Sequence, residues 1–98
     1  MIVIRDVFSL KFGSARPVKA LMQESKKIMP EEMVKNSRIL FDLIGPSYTM
    51  VMEYTCANLT AWEKEMSSAG NEDEWREWYQ KFIPHVNSSY REVFSIVD

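Results

Sequence analysis

LIGPSYTMVMEYT, residues 43–55, is the stretch that decides the fold, because it predicts a β-hairpin in the middle of the chain. Gly45-Pro46 is a turn signal, and the residues after it alternate between large apolar side chains and smaller or polar ones, as in a strand. The residues before the turn are rich in Ile, Leu and Phe. We therefore predict one strand over 37–44 and a second over 47–56.

The turn also predicts the register of these two strands. If Ile44 stands opposite Ser47, then Arg38 stands opposite Glu53, because antiparallel partners are counted outward in pairs from the turn. One face of the hairpin then carries Leu40, Asp42, Thr49, Val51 and Glu53, and the other carries Ile39, Phe41, Leu43, Tyr48, Met50, Met52 and Tyr54. A slip of one residue would mix the two sets, so the pattern favours this register.

Outside the hairpin, alternating β-branched and aromatic residues predict strands, and capping residues followed by apolar residues at helical spacing predict helices. The predicted elements are a strand over 2–12, a helix that Ser14 caps and Pro30 ends, a helix that starts with the capping box at Thr60, its continuation from Asn71 after a break at Gly70, and a strand over 91–98. The order is β-α-β-β-α-β in a single domain over residues 1–98. It predicts an α+β, ferredoxin-like fold, a four-stranded antiparallel sheet with the helices on one face.

The sheet face that the helices leave open is predicted to be half apolar. Its predicted apolar residues are Val3, Val7, Leu40, Val51, Val93 and Val97, and its predicted polar residues are Arg5, Asp42, Glu53 and Ser95. Apolar surface of this extent is uncommon on a soluble monomer. A second copy packed face to face would cover it, so we expect a homodimer whose two sheets close into a dimeric α/β barrel.

Composition and charge exclude several classes of partner. The chain has a net charge of −2, so we expect neither a nucleic acid nor a membrane as its partner. A chain of this order could be an RNA-recognition domain, which stacks bases on aromatic residues of its third strand. The exposed positions of that strand are Thr49, Val51, Glu53 and Thr55, which offer no aromatic ring. An RNA-binding function is therefore not indicated.

Cysteine and histidine usage points away from disulfide and metal chemistry. Cys56 is the one cysteine and His85 the one histidine, so we expect no intrachain disulfide, no zinc site and no cofactor. The apolar start reaches Arg5 and Asp6 too early for the core of a signal peptide. No apolar run approaches the ~18 residues of a membrane span. We expect a cytoplasmic protein.

The second half of the chain carries a family resemblance. The residues concerned are the Gly45 hairpin, Met52-Glu53-Tyr54, Leu59-Thr60-Ala61-Trp62-Glu63, Asn71-Glu72-Asp73-Glu74-Trp75-Arg76-Glu77-Trp78, and Pro84 before the last strand. With them the chain resembles the dimeric α/β-barrel superfamily, and within it the NIPSNAP-like families. The resemblance implies a homodimer with a small-molecule cavity. It implies no reaction, because the superfamily contains monooxygenases, heme enzymes, isomerases and proteins without a known activity.

Four residues of the predicted open face are candidates for ligand contact. Facing a barrel interior, Arg5, Asp42 and Glu53 would hydrogen-bond the polar end of a ligand, and apolar neighbours such as Val51 would hold its body. The alternative is that Glu53 pairs with Arg38 across the strands while Asp42 lies at the rim of an interface. The sequence leaves both interpretations open.

Three further candidates lie in the last third of the chain. Trp75 and Trp78, three residues apart on a predicted helix, would either line a ligand pocket or belong to the core. His85 is the one side chain that ordinarily titrates near neutral pH, but it follows Pro84 at a predicted kink without a Ser or Asp partner in the sequence. We therefore assign no catalytic residue.

Three functions fit these observations. The first is a homodimer that binds a small, largely apolar metabolite inside the barrel and has no identifiable catalytic machinery. The second is a cofactor-independent monooxygenase or isomerase for an aromatic or polyketide-like substrate, with a cavity carboxylate or His85 as base. The third is a structural dimer with a filled interior. The sequence favours the first.

Overall fold

The computed structural model, which describes residues 1–67 and 72–97, contains a four-stranded antiparallel sheet with helices packed on one face. The strands are β1 (Ile2–Leu10), β2 (Ser37–Phe41), β3 (Thr49–Cys56) and β4 (Val86–Ser95); the helices are α1 (Ala15–Ile28), α2 (Glu31–Lys35), α3 (Leu59–Ser67) and α4 (Glu72–Phe82), with a 3-10 turn over Ile83–His85. The order across the sheet is β2-β3-β1-β4. The predicted α+β, ferredoxin-like fold is confirmed.

The central hairpin has the predicted register and a longer loop than predicted. Arg38 stands opposite Glu53, and Leu40 stands opposite Val51. The paired strands stop at Phe41 and resume at Thr49, so the prediction that they reach residues 44 and 47 is wrong. The loop between them holds two residues with positive φ, Gly45 at 145° and Tyr48 at 60°. Such angles are incompatible with a continued strand, which explains the early end of the ladder.

The last strand differs most from its prediction. It begins at Val86 rather than at residue 91 and ends at Ser95. Phe94 stands opposite Val3, and Val93 stands opposite Ile4, whose side chain is buried under the helices. Val93 therefore lies on the helix face, as does Ser95, which stands opposite Ile2, so the prediction that both belong to the open face is wrong. Phe94 lies on the open face instead. The side chains of Val93 and Phe94 are both exposed at the sheet edge. The alternation of residues along β4 therefore could not show which of its two faces lies under the helices.

The core lies between the sheet and the helices α1 and α4. Its buried residues are Leu10, Val18, Leu21, Met22, Met50, Trp78 and Phe82. The Trp78 Nε1–H donates to the Leu21 carbonyl oxygen at 2.6 Å, which ties α4 to α1 inside the core. This bond satisfies the one donor of the indole, so the ring is buried without an unpaired polar group.

The helix ends show which capping predictions hold. Asn58, rather than Thr60, caps α3, because its Oδ1 accepts the Ala61 N–H at 2.8 Å. Ser14 precedes α1 as predicted, but its side chain makes no capping bond to the helix. The short helix α2 was not predicted. The predicted break at Gly70 and cap at Asn71 lie outside the described residues.

Candidate functional site

An ionic row crosses the open face of the sheet at one level. The strand register places Arg38, Glu53, Arg5 and Glu92 side by side, one on each of β2, β3, β1 and β4. Arg38 Nε donates to Glu53 Oε1 at 2.7 Å, and Arg5 Nε lies 2.9 Å from Glu53 Oε2. The Arg5 Nε–H is not directed at that oxygen, so this contact is an ion pair rather than a hydrogen bond. At the end of the row, Glu92 Oε2 lies 4.0 Å from Arg5 Nη1.

The row confirms the cross-strand pair of Glu53 with Arg38. The Glu53 carboxylate lies between two guanidinium groups, and its side chain is 12% exposed. Positive and negative charges alternate along the row and cancel. The pairing already occupies the groups that were predicted to meet the polar end of a ligand. Ligand contact by Arg5 and Glu53 inside a barrel stays a prediction.

The other two candidates of the open face, Asp42 and Val51, lie outside the ionic row. Asp42 fastens the hairpin loop, since its Oδ1 accepts the Thr49 N–H at 2.8 Å and its own N–H donates to the Thr49 carbonyl at 3.2 Å. Val51 lies between Leu40 and Val7 in the middle of the face. Val51 is therefore placed to contact whatever covers the sheet.

A cavity of about 410 Å³ lies on the opposite face, between the strands and the helices. Its apolar and aromatic lining comprises Ile4, Phe8, Met29, Met33, Met52, Tyr54, Trp62, Met66, Trp75, Trp78, Tyr79 and Phe82. This set includes all three tryptophans and four of the seven methionines of the chain. Volume and lining are those of small-molecule sites, which are concave and mostly apolar with a few polar groups.

One charged pair borders the cavity. Arg91 on β4 stands opposite Asp6 on β1, with Nε 2.6 Å from Oδ1 and Nη2 3.4 Å from Oδ2. The Arg91 guanidinium also lies over the Trp62 ring of α3, 4.9 Å from its centroid. Two serines of the lining are already engaged, because Ser25 and Ser37 donate to backbone carbonyl oxygens. Glu53 and Glu72 complete the charged residues of the lining, and Glu53 is already paired with Arg38 and Arg5. The Asp6–Arg91 pair is one polar feature of the wall that is placed to meet a ligand.

Asp6, Trp62 and Arg91 were not among the predicted site residues. The signal for Asp6 was present, since it is the one charged residue on the apolar face of the first strand. Arg91 was placed at the first residue of the last strand, where its pairing with Asp6 was not evident. The true start of β4 at Val86 puts Arg91 in the middle of the ladder.

The structure brings the predicted residues Trp75 and Trp78 together on the cavity wall. Their rings meet edge to face, with centroids 5.8 Å apart and an interplanar angle of 87°. Trp78 also stacks on Phe82 at 5.0 Å and is 6% exposed, so it belongs to the core as well as to the wall. Trp75 is partly buried and contributes its ring to the same lining. Trp78 is therefore a core residue and both rings line the cavity, while contact of this pair with a ligand stays a prediction.

His85 lies apart from both the ionic row and the cavity. It ends the 3-10 turn, and its Nδ1 lies 2.9 Å from the hydroxyl of Ser14, which is buried before α1. Neither residue lines the cavity. The contact joins the turn before β4 to the start of α1, which is a structural role.

Two negative findings apply to residues 1–67 and 72–97. They contain no group of three or more His, Cys, Asp or Glu side chains arranged to hold a metal ion. They also contain no helix that is long and apolar enough to cross a membrane. Cys56 is buried, with its Sγ 3.5 Å from the Asn58 carbonyl oxygen.

Comparison with solved structures gives the same fold. A NIPSNAP family protein from Agrobacterium tumefaciens matches with a TM-score of 0.86 at 16% identity, over 99% of this chain and 86% of that chain. A NIPSNAP domain protein from Burkholderia xenovorans matches with a TM-score of 0.80 at 9% identity, over 99% and 95%. An antibiotic biosynthesis monooxygenase matches with a TM-score of 0.62 at 8% identity, over the full length of both chains.

These matches confirm, at the level of the fold, the resemblance to NIPSNAP proteins that the sequence indicates. At such low identity the likeness concerns the backbone and not the chemistry of the site. No protein-family model matches the chain, and no curated protein matches it either.

Proposed function

We propose that this protein binds a small, flat and largely apolar molecule in the cavity between the sheet and the helices. The observation that supports the proposal is the lining itself: all three tryptophans of the chain converge on one space of about 410 Å³. Aromatic rings pack well against planar ligands. The ligand would then lie between the sheet and the helices, on the opposite face of the sheet from the barrel interior that the sequence analysis expects.

The methionines and the charged pair define the ligand class further. Met29, Met33 and Met52 are unbranched, polarizable side chains that adapt to irregular shapes, so the cavity accommodates a range of apolar bodies. The Asp6–Arg91 pair places a guanidinium at the border, where it donates to an oxygen of the ligand. An aromatic molecule that carries a hydroxyl, carbonyl or carboxylate group at one end matches this arrangement.

Native mass spectrometry of freshly purified protein tests the proposal, because a retained metabolite adds a defined mass to the chain. The matched probe experiment uses anilinonaphthalene sulfonate, a flat aromatic anion, and follows quenching of tryptophan fluorescence. We expect saturable quenching by the probe. Met29→Trp, which fills part of the cavity, should weaken probe binding, whereas Tyr90→Ala on the open face should not. Absence of both a retained ligand and probe binding would contradict the proposal and favour a structural role with a filled interior.

A second candidate function is a cofactor-independent monooxygenase or isomerase that acts on an aromatic or polyketide-like substrate. The observation that favours it is the position of Arg91 beside an aromatic-lined cavity. If a bound phenol or enol transfers its proton to the Asp6 carboxylate, the Arg91 guanidinium beside that carboxylate stabilises the oxyanion that remains on the substrate. An antibiotic biosynthesis monooxygenase shares the fold. Oxygen uptake with a hydroxylated polycyclic aromatic compound, lost in Arg91→Met, would support catalysis; equal uptake in that variant would contradict it.

We further propose that the protein is a homodimer joined through its open sheet faces. Val3, Val7 and Val51 lie only partly covered on that face, and Leu40 and Phe94 are exposed. Analytical ultracentrifugation at micromolar concentration should give about twice the chain mass. A Val51→Lys variant should be monomeric, because it buries a charge in the interface. The matched change Glu77→Lys, on the exposed side of α4, should leave the dimer intact.

A further inference from the structure

The three tryptophans that line the cavity differ in the hydrogen bonds of their indole N–H groups. Trp78 donates to the Leu21 carbonyl oxygen at 2.6 Å, so its donor is satisfied inside the protein. Within residues 1–67 and 72–97, no acceptor is bonded to Trp62 Nε1 or to Trp75 Nε1. Both nitrogen atoms are open to solvent. An indole nitrogen only donates, so two residues of the cavity wall keep a free donor.

Arg91 adds further donors at the border of the cavity. Its Nε and Nη2 atoms donate to the two carboxylate oxygens of Asp6, at 2.6 and 3.4 Å. A guanidinium carries five N–H groups, so three of them are left after these two bonds. The guanidinium carbon lies 4.9 Å from the centre of the Trp62 ring. A ligand at this border therefore meets N–H groups from α3 and from β4 together.

The charged residues of the lining leave no surplus of positive charge. Asp6 balances Arg91, which is the one cation of the described lining. Glu53 is balanced by the arginines of the ionic row. Glu72, exposed at the start of α4, adds a further negative charge. An anionic ligand would lose its hydration without gaining an unpaired cation, so these charges favour an uncharged ligand.

The hydroxyl groups of the lining add few acceptors. Ser25 and Ser37 each donate their one proton to a backbone carbonyl oxygen. Ser25 is only 1% exposed, so a ligand has little access to its oxygen. The hydroxyls of Tyr54 and Tyr79 both donate and accept, so they fit either kind of ligand. Free donors therefore outnumber free acceptors in the described wall of the cavity.

We infer that the cavity selects uncharged aromatic carbonyl compounds with two acceptor oxygens, such as quinones. One oxygen accepts from Arg91 and the Trp62 indole at the β4 border, and the other accepts from the Trp75 indole of α4. A hydrocarbon of the same shape would displace water from these donors without replacing its hydrogen bonds, which costs free energy. The inference rests on the proposed binding site and names the chemistry of its ligand.

Equilibrium dialysis with two matched probes tests the inference. Duroquinone carries two carbonyl oxygens, and durene is a methylated ring of similar shape without oxygen. The measured quantity is the ratio of their association constants, compared between variants so that the different hydration of the two probes cancels. Trp62→Phe and Trp75→Phe each remove one free indole donor and keep an aromatic ring. Each should lower the ratio of duroquinone to durene binding about two- to tenfold, the effect of one hydrogen bond.

Trp78→Phe is the matched control, because its indole donor is already bonded to the Leu21 carbonyl oxygen. It should lower both association constants alike and leave their ratio unchanged. An unchanged ratio in Trp62→Phe and Trp75→Phe, or an equal decrease in Trp78→Phe, would overturn the inference and leave the binding site standing. Binding of anilinonaphthalene sulfonate without binding of duroquinone would do the same. If neither probe nor anilinonaphthalene sulfonate bound, the proposed function itself would fail.

A second pair of probes tests the preference for an uncharged ligand. Methyl benzoate has the ring and the two oxygens of benzoate without its charge, so it should bind the wild-type protein more tightly. Glu72→Gln should strengthen the binding of benzoate about two- to fivefold and leave that of methyl benzoate unchanged. Glu77→Gln, on the exposed side of α4, should change neither. Tighter binding of benzoate than of methyl benzoate by the wild-type protein would overturn the inferred ligand class.

Discussion

Glu53→Gln removes the one negative charge that holds two arginines together at the centre of the open face. Gln has nearly the same shape and keeps one acceptor oxygen, so the change isolates the charge. After it, Arg38 has lost its ionic partner at 2.7 Å, and the remaining ion pair of Arg5 is the one with Glu92 at 4.0 Å. The ionic row is then left with two positive charges, one on each side of position 53, and one negative charge at its end.

The expected magnitude follows from the exposure of the three side chains. Arg38 is 71% exposed, so its pair with Glu53 contributes only about 0.2–1 kcal/mol. Arg5 is 34% exposed and Glu53 12% exposed, so their pair is screened less by water and contributes about 1 kcal/mol. We expect the free energy of unfolding to fall by about 1–2 kcal/mol in Glu53→Gln.

Urea unfolding at fixed protein concentration measures this difference, with Glu77→Gln on the exposed side of α4 as the control. The control should change the unfolding free energy by less than about 0.5 kcal/mol. Double-mutant cycles with Arg5→Met and Arg38→Met should give the larger coupling energy for Arg5. Wild-type stability in Glu53→Gln, or a larger coupling for Arg38, would refute the argument from exposure.

Four further substitutions test the fold. Met50→Ala should lower the free energy of unfolding by about 2–5 kcal/mol in urea, because Met50 is fully buried and its removal leaves a cavity. Asn58→Ala should lower the free energy of unfolding by about 1 kcal/mol, because Asn58 caps α3. Thr60→Ala should lower it by less. Trp78→Phe should lower the free energy of unfolding by about 1–3 kcal/mol, since the Leu21 carbonyl loses its buried indole donor. A smaller decrease, measured by calorimetry, would show that the carbonyl finds another partner.

The sequence predicted the order of the elements and the register of the central hairpin. Strand β3 made this possible, because Met50 and Met52 alternate with Val51 and Glu53 and one set is buried under the helices. Burial of one face fixes which residues must point inward. β4 lacks this constraint, since most of its residues are exposed on both faces, and its start and its faces were predicted incorrectly.

The cavity could not be predicted in the same way. Its wall combines Met29 after α1, Trp62 in α3 and Arg91 in β4, which are far apart in the sequence and meet only through packing. Patterns along a chain indicate which side chains point inward, but not where the packing of elements leaves space. Asp6 was the one local sign, because a charge on an apolar strand face requires a partner or a solvent path.

The position of the bound ligand tests the central claim most directly. Two-dimensional NMR of nitrogen-labelled protein, titrated with the retained metabolite or with anilinonaphthalene sulfonate, reports on each tryptophan side chain separately. The indole N–H signals of Trp62 and Trp75 should shift on binding, together with the backbone signals of Met52, while those of Val7 and Val51 on the open face stay unchanged. Shifts confined to the open face, with unchanged indole signals, would contradict a ligand site between the sheet and the helices.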